Sequence, residues 1–123
     1  MSLKTKVLFI HTVEKGEPLA YNHSFITGRR SKIAAISIGY GDGLTRAYKG
    51  RVFVSGRYAD IVGVVSMDLT LIDITDVPDV NVGDDVYIWD NKNITFEEFG
   101  KNYGSTFAEM FGHFAPRIER VYL

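Results

Sequence analysis

The chain contains no cysteine, few prolines and histidines (three of each), and almost no charge imbalance, with a formal net charge of −1. Each scarcity excludes something. Without cysteine there is no disulfide, no zinc–thiolate centre and no thiol nucleophile, and the redox compartment leaves no mark. Near-neutral charge gives no electrostatic case for nucleic acid or for an anionic membrane surface. The apolar runs are too short to span a bilayer and the N-terminus has no signal-peptide pattern, so a cytoplasmic soluble domain is the expectation. His11, His23 and His113 are too scattered for metal-ligand spacing, and each reads as a surface or satisfied core residue.

What is present is a chain of 123 residues, 46% hydrophobic, enough for one domain with one core. Apolar runs of four to eight residues separated by turn residues dominate it, the pattern of strands. They cover Thr5–Val13, Ser31–Ile38, Arg51–Val54, Asp60–Val65, Asp68–Ile74, Val86–Trp89 and Ile118–Leu123. Ser55-Gly56 sits between two runs as a hairpin tip. Only the region from 95 to 112 reads as helical. Thr95 and Glu98 form a capping-box pattern, Gly104 stops the first helix, and Thr106-Phe107-Ala108-Glu109 repeats the pattern. The expected fold is mainly β: a small barrel-like domain of about eight strands with two short helices near the C-terminus.

One stretch invites a chemical reading. Ser37-Ile38-Gly39-Tyr40-Gly41-Asp42-Gly43 carries three glycines after an apolar run, as phosphate-holding loops do. A dinucleotide loop, however, needs G-x-G-x-x-G and a helix starting at its last glycine. Here the spacing is G-x-G-x-G, and another turn and a strand follow within a few residues. The nucleotide reading fails, leaving a structural strand corner or some other functional loop. The acids of Asp73–Asp79 fit a solvated turn better than a calcium loop. Seven tyrosines and eight phenylalanines, with no basic stripe, fit core packing better than base stacking.

Four separated pieces add what spacing alone does not. They are Ala20-Tyr21-Asn22-His23-Ser24-Phe25, Ile38-Gly39-Tyr40-Gly41-Asp42-Gly43, Ile61-Val62-Gly63-Val64-Val65-Ser66-Met67-Asp68 and Pro116-Arg117-Ile118-Glu119-Arg120-Val121-Tyr122. In this order the chain resembles the C-terminal β domain of pyridoxal-phosphate-dependent alanine racemases, over essentially its whole length. Asp76-Val77-Pro78 and Val82-Gly83-Asp84 are similar to connecting pieces of that family. Met1-Ser2-Leu3-Lys4 resembles the point where the family's chain leaves its N-terminal (β/α)8 barrel, so residues 1–123 are expected to be a fragment of a two-domain enzyme.

The resemblance implies a division of labour. The family's barrel carries the lysine that holds pyridoxal phosphate, and nothing here matches it. Tyr21 matches the tyrosine that acts as acid/base on the partner subunit's cofactor. Met67 matches the position whose backbone N–H holds the substrate carboxylate. Tyr40, Arg46 and Asp68 match residues of the corridor leading to the cofactor. Departures include Asn22 for glycine, Gly41 for alanine, Ser66 for cysteine, Glu119 for proline, and Val64 where many members carry an arginine. The implied protein is a bacterial, cytoplasmic homodimer that interconverts L- and D-alanine for peptidoglycan, and the isolated fragment is expected to be inactive. A racemase for serine or for a broader set of amino acids, fusion of the parent to a peptidoglycan-precursor ligase, and a non-catalytic β-barrel interaction module stand as alternatives.

Overall fold

Alternating and apolar runs become strands because a pleated chain buries every second side chain. The computed structural model describes residues 2–19, 25–103 and 118–119. Among them the chain order is β1 (Leu3–Val13), β2 (Pro18–Leu19), β3 (Phe25–Ile26), β4 (Ser31–Ile36), β5 (Arg51–Val54), β6 (Arg57–Val62), β7 (Thr70–Asp73), β8 (Asp85–Trp89) and α1 (Phe96–Tyr103). Six strands close a barrel in the order β1-β4-β7-β6-β5-β8, every pairing antiparallel. The fold is thus mainly β and barrel-like, as the sequence implies.

Closure depends on the length of β1. Its first half pairs with β8, from Leu3 opposite Trp89 to Lys6 opposite Asp85. Its second half pairs with β4, from Val7 opposite Ile36 to Val13 opposite Ser31, with an irregularity between Val7 and Phe9. A bulge there bends the strand from one neighbour to the other. The expected hairpin tip is present: Ser55 and Gly56 take φ of 51° and 78°, the doubly left-handed geometry that suits strand twist.

Two apolar clusters follow. The interior holds Val7, Ala34, Ile36, Val52, Val54, Ile72, Val86 and Ile88, closed by an aromatic plug. In that plug Phe99 of α1 lies 4.6 Å from Trp89 and 5.1 Å from Tyr48, centroid to centroid. Outside the barrel, Leu19, Phe25 and Leu71 pack on a cluster of Val13, Ile33 and Val62. The short β2–β3 pair therefore covers Ile33 on the outer face of β4, while Ala34 and Ile36 face the interior. Thr27 ties the base of this hairpin, donating through Oγ1 to the Glu14 carbonyl at 2.7 Å.

Several expected boundaries move. β4 ends at Ile36, β6 runs Arg57–Val62 and β7 begins at Thr70. Ile38 and Val65 remain buried beyond these ends, but the chain there leaves the ladders, as described below. Thr95 caps α1 by accepting the Glu98 N–H at 3.1 Å. The Glu98 carboxylate does not complete the box. Its two oxygens instead take Arg51 Nε at 3.0 Å and Nη2 at 2.9 Å, a charge-assisted fork that wins over a neutral amide donor. The expected second helix lies outside the described residues. Of the expected final strand only Ile118 and Glu119 are described, as irregular chain.

The loop between β8 and α1 is organised by one carboxylate. Asp90 accepts from the backbone N–H groups of Lys92, Asn93 and Ile94 at 2.7–3.0 Å and from Asn93 Nδ2 at 2.8 Å. Burial alone would raise its pKa, but the bonds from Ile94, Asn93 and Lys92 outweigh this and lower it from 3.8 to about 2. A depressed carboxylate stabilises the fold above its unfolded pKa and loses that contribution as pH falls through the folded value. The contribution is about 2 kcal/mol at neutral pH, lost between about pH 4 and pH 2. Urea titrations at several pH values should therefore show Asp90→Asn less stable than the parent at pH 6, with the gap closing toward pH 2. A gap independent of pH would contradict this account.

Candidate functional site

Beyond Ile36 the chain leaves the barrel wall and turns. Thr5 Oγ1 donates to the Ser37 carbonyl at 2.8 Å, and Thr70 Oγ1 to the Ile38 carbonyl at 2.6 Å, so β1 and β7 both hold the exit. Tyr40–Asp42 then form a single 3-10 turn. Asp42 Oδ2 accepts the Gly39 N–H at 2.9 Å, and Gly43, at φ 115°, ends the turn in left-handed geometry that glycine tolerates.

This turn is fastened to the β6–β7 connection. The Tyr40 N–H donates to the Ser66 carbonyl at 2.9 Å and the Gly41 N–H to the Met67 carbonyl at 2.8 Å. The Val65 N–H donates back to the Arg46 carbonyl at 3.0 Å, and the Ser66 N–H closes its own turn on Leu69 at 3.0 Å. Gly39 lies at the seam. A methyl group on its α-carbon would overlap the Ser66 and Met67 carbonyl oxygens. Its lack of a side chain permits close approach of another stretch of backbone. Carbonyl oxygens there would repel an anion, a second and independent reason against a phosphate loop.

Four of the residues singled out in the sequence thus meet at one corner. Tyr40 and Met67 are 44% and 54% exposed, and Arg46 and Asp68 are exposed beside them. The Arg46 guanidinium lies 5.9 Å from the centroid of the Tyr40 ring. The Met67 carbonyl is taken by Gly41, and its N–H meets no acceptor among the described residues. Tyr21 lies outside the described residues, as do His23 and His113. The strands flanking Tyr21 are described: Leu19 and Phe25 pack on the cluster of Val13, Ile33 and Val62, and Val62 ends β6, from which the Met67 connection leaves. Val64, on that connection, is half-buried.

Other polar features do separate work. His11 is exposed, with Phe9 edge-on at 5.1 Å. The carboxylate of Asp73 accepts the Thr75 N–H at 2.9 Å, and Asp76 pairs with Arg29 at 2.8 Å, so these acids organise a turn. Burial, helped by the charge of Glu98, pushes the Tyr48 phenol well above its ordinary pKa, which keeps it protonated and unsuited to acid/base exchange. A groove of about 670 Å³ runs past Phe25, Arg51, Asp60, Asp73, Glu98 and Asn102, apart from the Tyr40–Met67 corner. Spacing did not reveal Gly39 and Thr70 as supports of the corner. Only for Gly39 was there a signal, glycine being the residue that close backbone approach demands.

The corner brings together the Met67 N–H, the Tyr40 ring and the Arg46 guanidinium near that ring. It offers no means of attaching a carbonyl cofactor, because residues 37–46 and 63–69 include no lysine.

The comparisons agree on one relationship. A family model for the alanine racemase C-terminal domain matches residues 1–122. Alanine racemase 2 of Caldanaerobacter subterraneus subsp. tengcongensis is 40% identical over 128 aligned positions, covering all of this chain and 33% of that protein. The biosynthetic alanine racemase of Pseudomonas aeruginosa superposes with a TM-score of 0.90 at 33% identity, over 99% of this chain and 34% of that one. The alanine racemase of Bartonella henselae, solved with covalently bound pyridoxal phosphate, gives 0.91 at 32% identity, over 99% and 34%. The chain spans about a third of the length of the curated relatives it matches. By sequence along its whole length and by the path of its backbone, it belongs to the alanine racemase C-terminal domain family.

Proposed function

We propose that residues 1–123 are the C-terminal domain of a two-domain, pyridoxal-phosphate-dependent racemase that interconverts L- and D-alanine. In this reading the chain presents Tyr21, Tyr40 and Met67 to a cofactor held by the barrel of a partner subunit. The observation that carries it is the joint exposure of Tyr40 and Met67 on one hydrogen-bonded corner, in a chain of this family. The donor set fits the substrate end of such a site: an N–H and a guanidinium for a carboxylate, and no lysine to hold the cofactor.

Racemisation moves a proton off one face of the α-carbon and returns one on the other, so two acid/base groups are needed. Pyridoxal phosphate, when bound, makes that proton acidic by accepting the electron pair left at the α-carbon. Tyr21 would exchange the proton on one face through its hydroxyl, and a lysine of the barrel would serve the other. A free phenol has a pKa near 10, so Tyr21 needs cations or hydrogen-bond donors from the barrel to work as a base. Met67 would hold the substrate carboxylate through its N–H, Tyr40 would narrow the access and exclude water, and Asp68 would shape the wall. Arg46 would draw the carboxylate inward by its charge. A role in supplying D-alanine to peptidoglycan in a bacterial cytoplasm follows from this activity.

Polarimetry on the full-length protein with pyridoxal phosphate tests the proposal. Either enantiomer of alanine should proceed to the equimolar mixture, and the 123-residue chain alone should show neither cofactor absorbance nor turnover. A full-length protein that racemises neither alanine nor serine would leave the non-catalytic interaction module as the better reading. A higher kcat/KM for serine would move the substrate, with Val64 at the access as the first position to change.

A further inference from the structure

We propose that Tyr103, the last residue of α1, is a positioning residue for the Tyr40–Met67 corner. The proposal deepens the functional reading above and rests on it for its catalytic part alone. The 3-10 turn at Tyr40 is held at its start by Asp42 on the Gly39 N–H and by the bonds to Ser66 and Met67. Its end is held from elsewhere. The Tyr103 hydroxyl donates to the Gly43 carbonyl across 60 residues of sequence.

The donor is rigid. Tyr103 is 6% exposed, and its ring lies 5.5 Å from that of Phe99, which is fully buried against Trp89 and Tyr48. Burial raises the phenol's pKa, so the hydroxyl remains a donor through the physiological range. The aromatic plug thereby reaches out of the barrel to fix one end of an exposed loop. The other end of that loop carries the Gly41 bond to Met67. Helix α1, which touches neither Tyr40 nor Met67 in any hydrogen bond described above, sets where both point. Three of the five residues from Gly39 to Gly43 are glycines, which have little conformational preference, so a fixed hydroxyl at the end of the turn has leverage.

Tyr103→Phe removes the hydroxyl and keeps the ring. Tyr48→Phe is the matched control, because it removes a hydroxyl from the same plug without touching the loop. Amide hydrogen exchange on the 123-residue chain is the first readout. In Tyr103→Phe the Tyr40 and Gly41 amides should exchange about 5-fold faster, the effect of losing one hydrogen bond, while β5–β6 ladder amides stay unchanged and report an intact fold. Tyr48→Phe should leave Tyr40 and Gly41 unchanged. The second readout is kinetic, in the full-length racemase: KM for alanine should rise about 5-fold in Tyr103→Phe with kcat within about twofold, since the lost restraint acts on binding groups. Unchanged Tyr40 and Gly41 exchange in Tyr103→Phe, or equal acceleration in Tyr48→Phe, would overturn the proposal. Faster exchange with KM unmoved would overturn its catalytic part. A full-length protein without racemase activity would remove the functional reading and leave the exchange result standing.

Discussion

Under the proposed function, replacing Tyr21 with phenylalanine in the full-length protein should lower kcat/KM for alanine by about 10³-fold, the usual range for one acid/base group. That corresponds to about 4 kcal/mol of transition-state stabilisation. The substitution keeps the ring and removes only the atom that carries the proton. Cofactor absorbance should therefore persist and KM should change little, so the loss appears in kcat. The described strands on either side are anchored: Leu19 and Phe25 pack on the cluster of Val13, Ile33 and Val62, and Thr27 bonds the hairpin base to Glu14. Stopped assays for D-alanine formation, with cofactor occupancy measured in parallel, check the expectation. Near-parental kcat would remove Tyr21 from the mechanism.

The second large effect is expected at Gly39. Its backbone is extended, at φ −149°, which any residue adopts, so the constraint is steric. An added methyl would meet the Ser66 and Met67 carbonyl oxygens, which belong to backbone and cannot swing aside. Relief requires the two loops to part, at the expense of the Tyr40–Ser66 and Gly41–Met67 bonds. Gly39→Ala should lose about 3 kcal/mol of stability, combining overpacking with two broken hydrogen bonds. It should also scatter the proposed substrate contacts of Tyr40 and Met67, abolishing measurable activity in the full-length protein. Gly28→Ala is the control, because its Cβ would stand in open space, and it should shift stability by less than about 0.5 kcal/mol. Equal urea midpoints for the two variants would show that the loops are not in contact at Gly39.

The contrast between these positions shows which features sequence could reveal. Strand β5, the Ser55-Gly56 tip and the Thr95 cap were legible because each depends on near neighbours: alternation, a two-residue loop, a hydroxyl three positions before its amide. The ends of β4, β6 and β7 were not. Ile38 and Val65 continue the apolar pattern and are buried, but their segments bond to one another across the fold instead of extending a ladder. Strands of two residues, such as Pro18–Leu19 and Phe25–Ile26, are too short to carry any periodicity. Glu98 fitted a capping box until Arg51, distant in sequence, claimed its carboxylate.

The candidate site divides in the same way. The four motifs pointed to the family and named Tyr21, Tyr40, Met67 and Asp68, with Arg46 placed by the resemblance around them, without showing that any of them touch. Joining Tyr40 to Met67 took the fold, since it runs through backbone groups that look alike in every sequence. The glycine-rich stretch drew notice for a sound reason, close backbone approach, but its partner is another loop of this chain and not a phosphate.

The central claim is that this chain supplies one of two proton-handling groups, Tyr21, to a site whose other group lies on the barrel. Proton NMR of full-length Tyr21→Phe in D₂O, run separately with L- and D-alanine, tests it most directly. The unmodified enzyme should exchange the α-proton of both enantiomers for deuterium and invert both. Tyr21→Phe should still exchange the α-proton of one enantiomer, the one facing the barrel lysine, while inversion is lost and the other enantiomer stays protonated. Inversion of both enantiomers at near-parental rates, or loss of exchange for both with the cofactor still bound, would contradict the account.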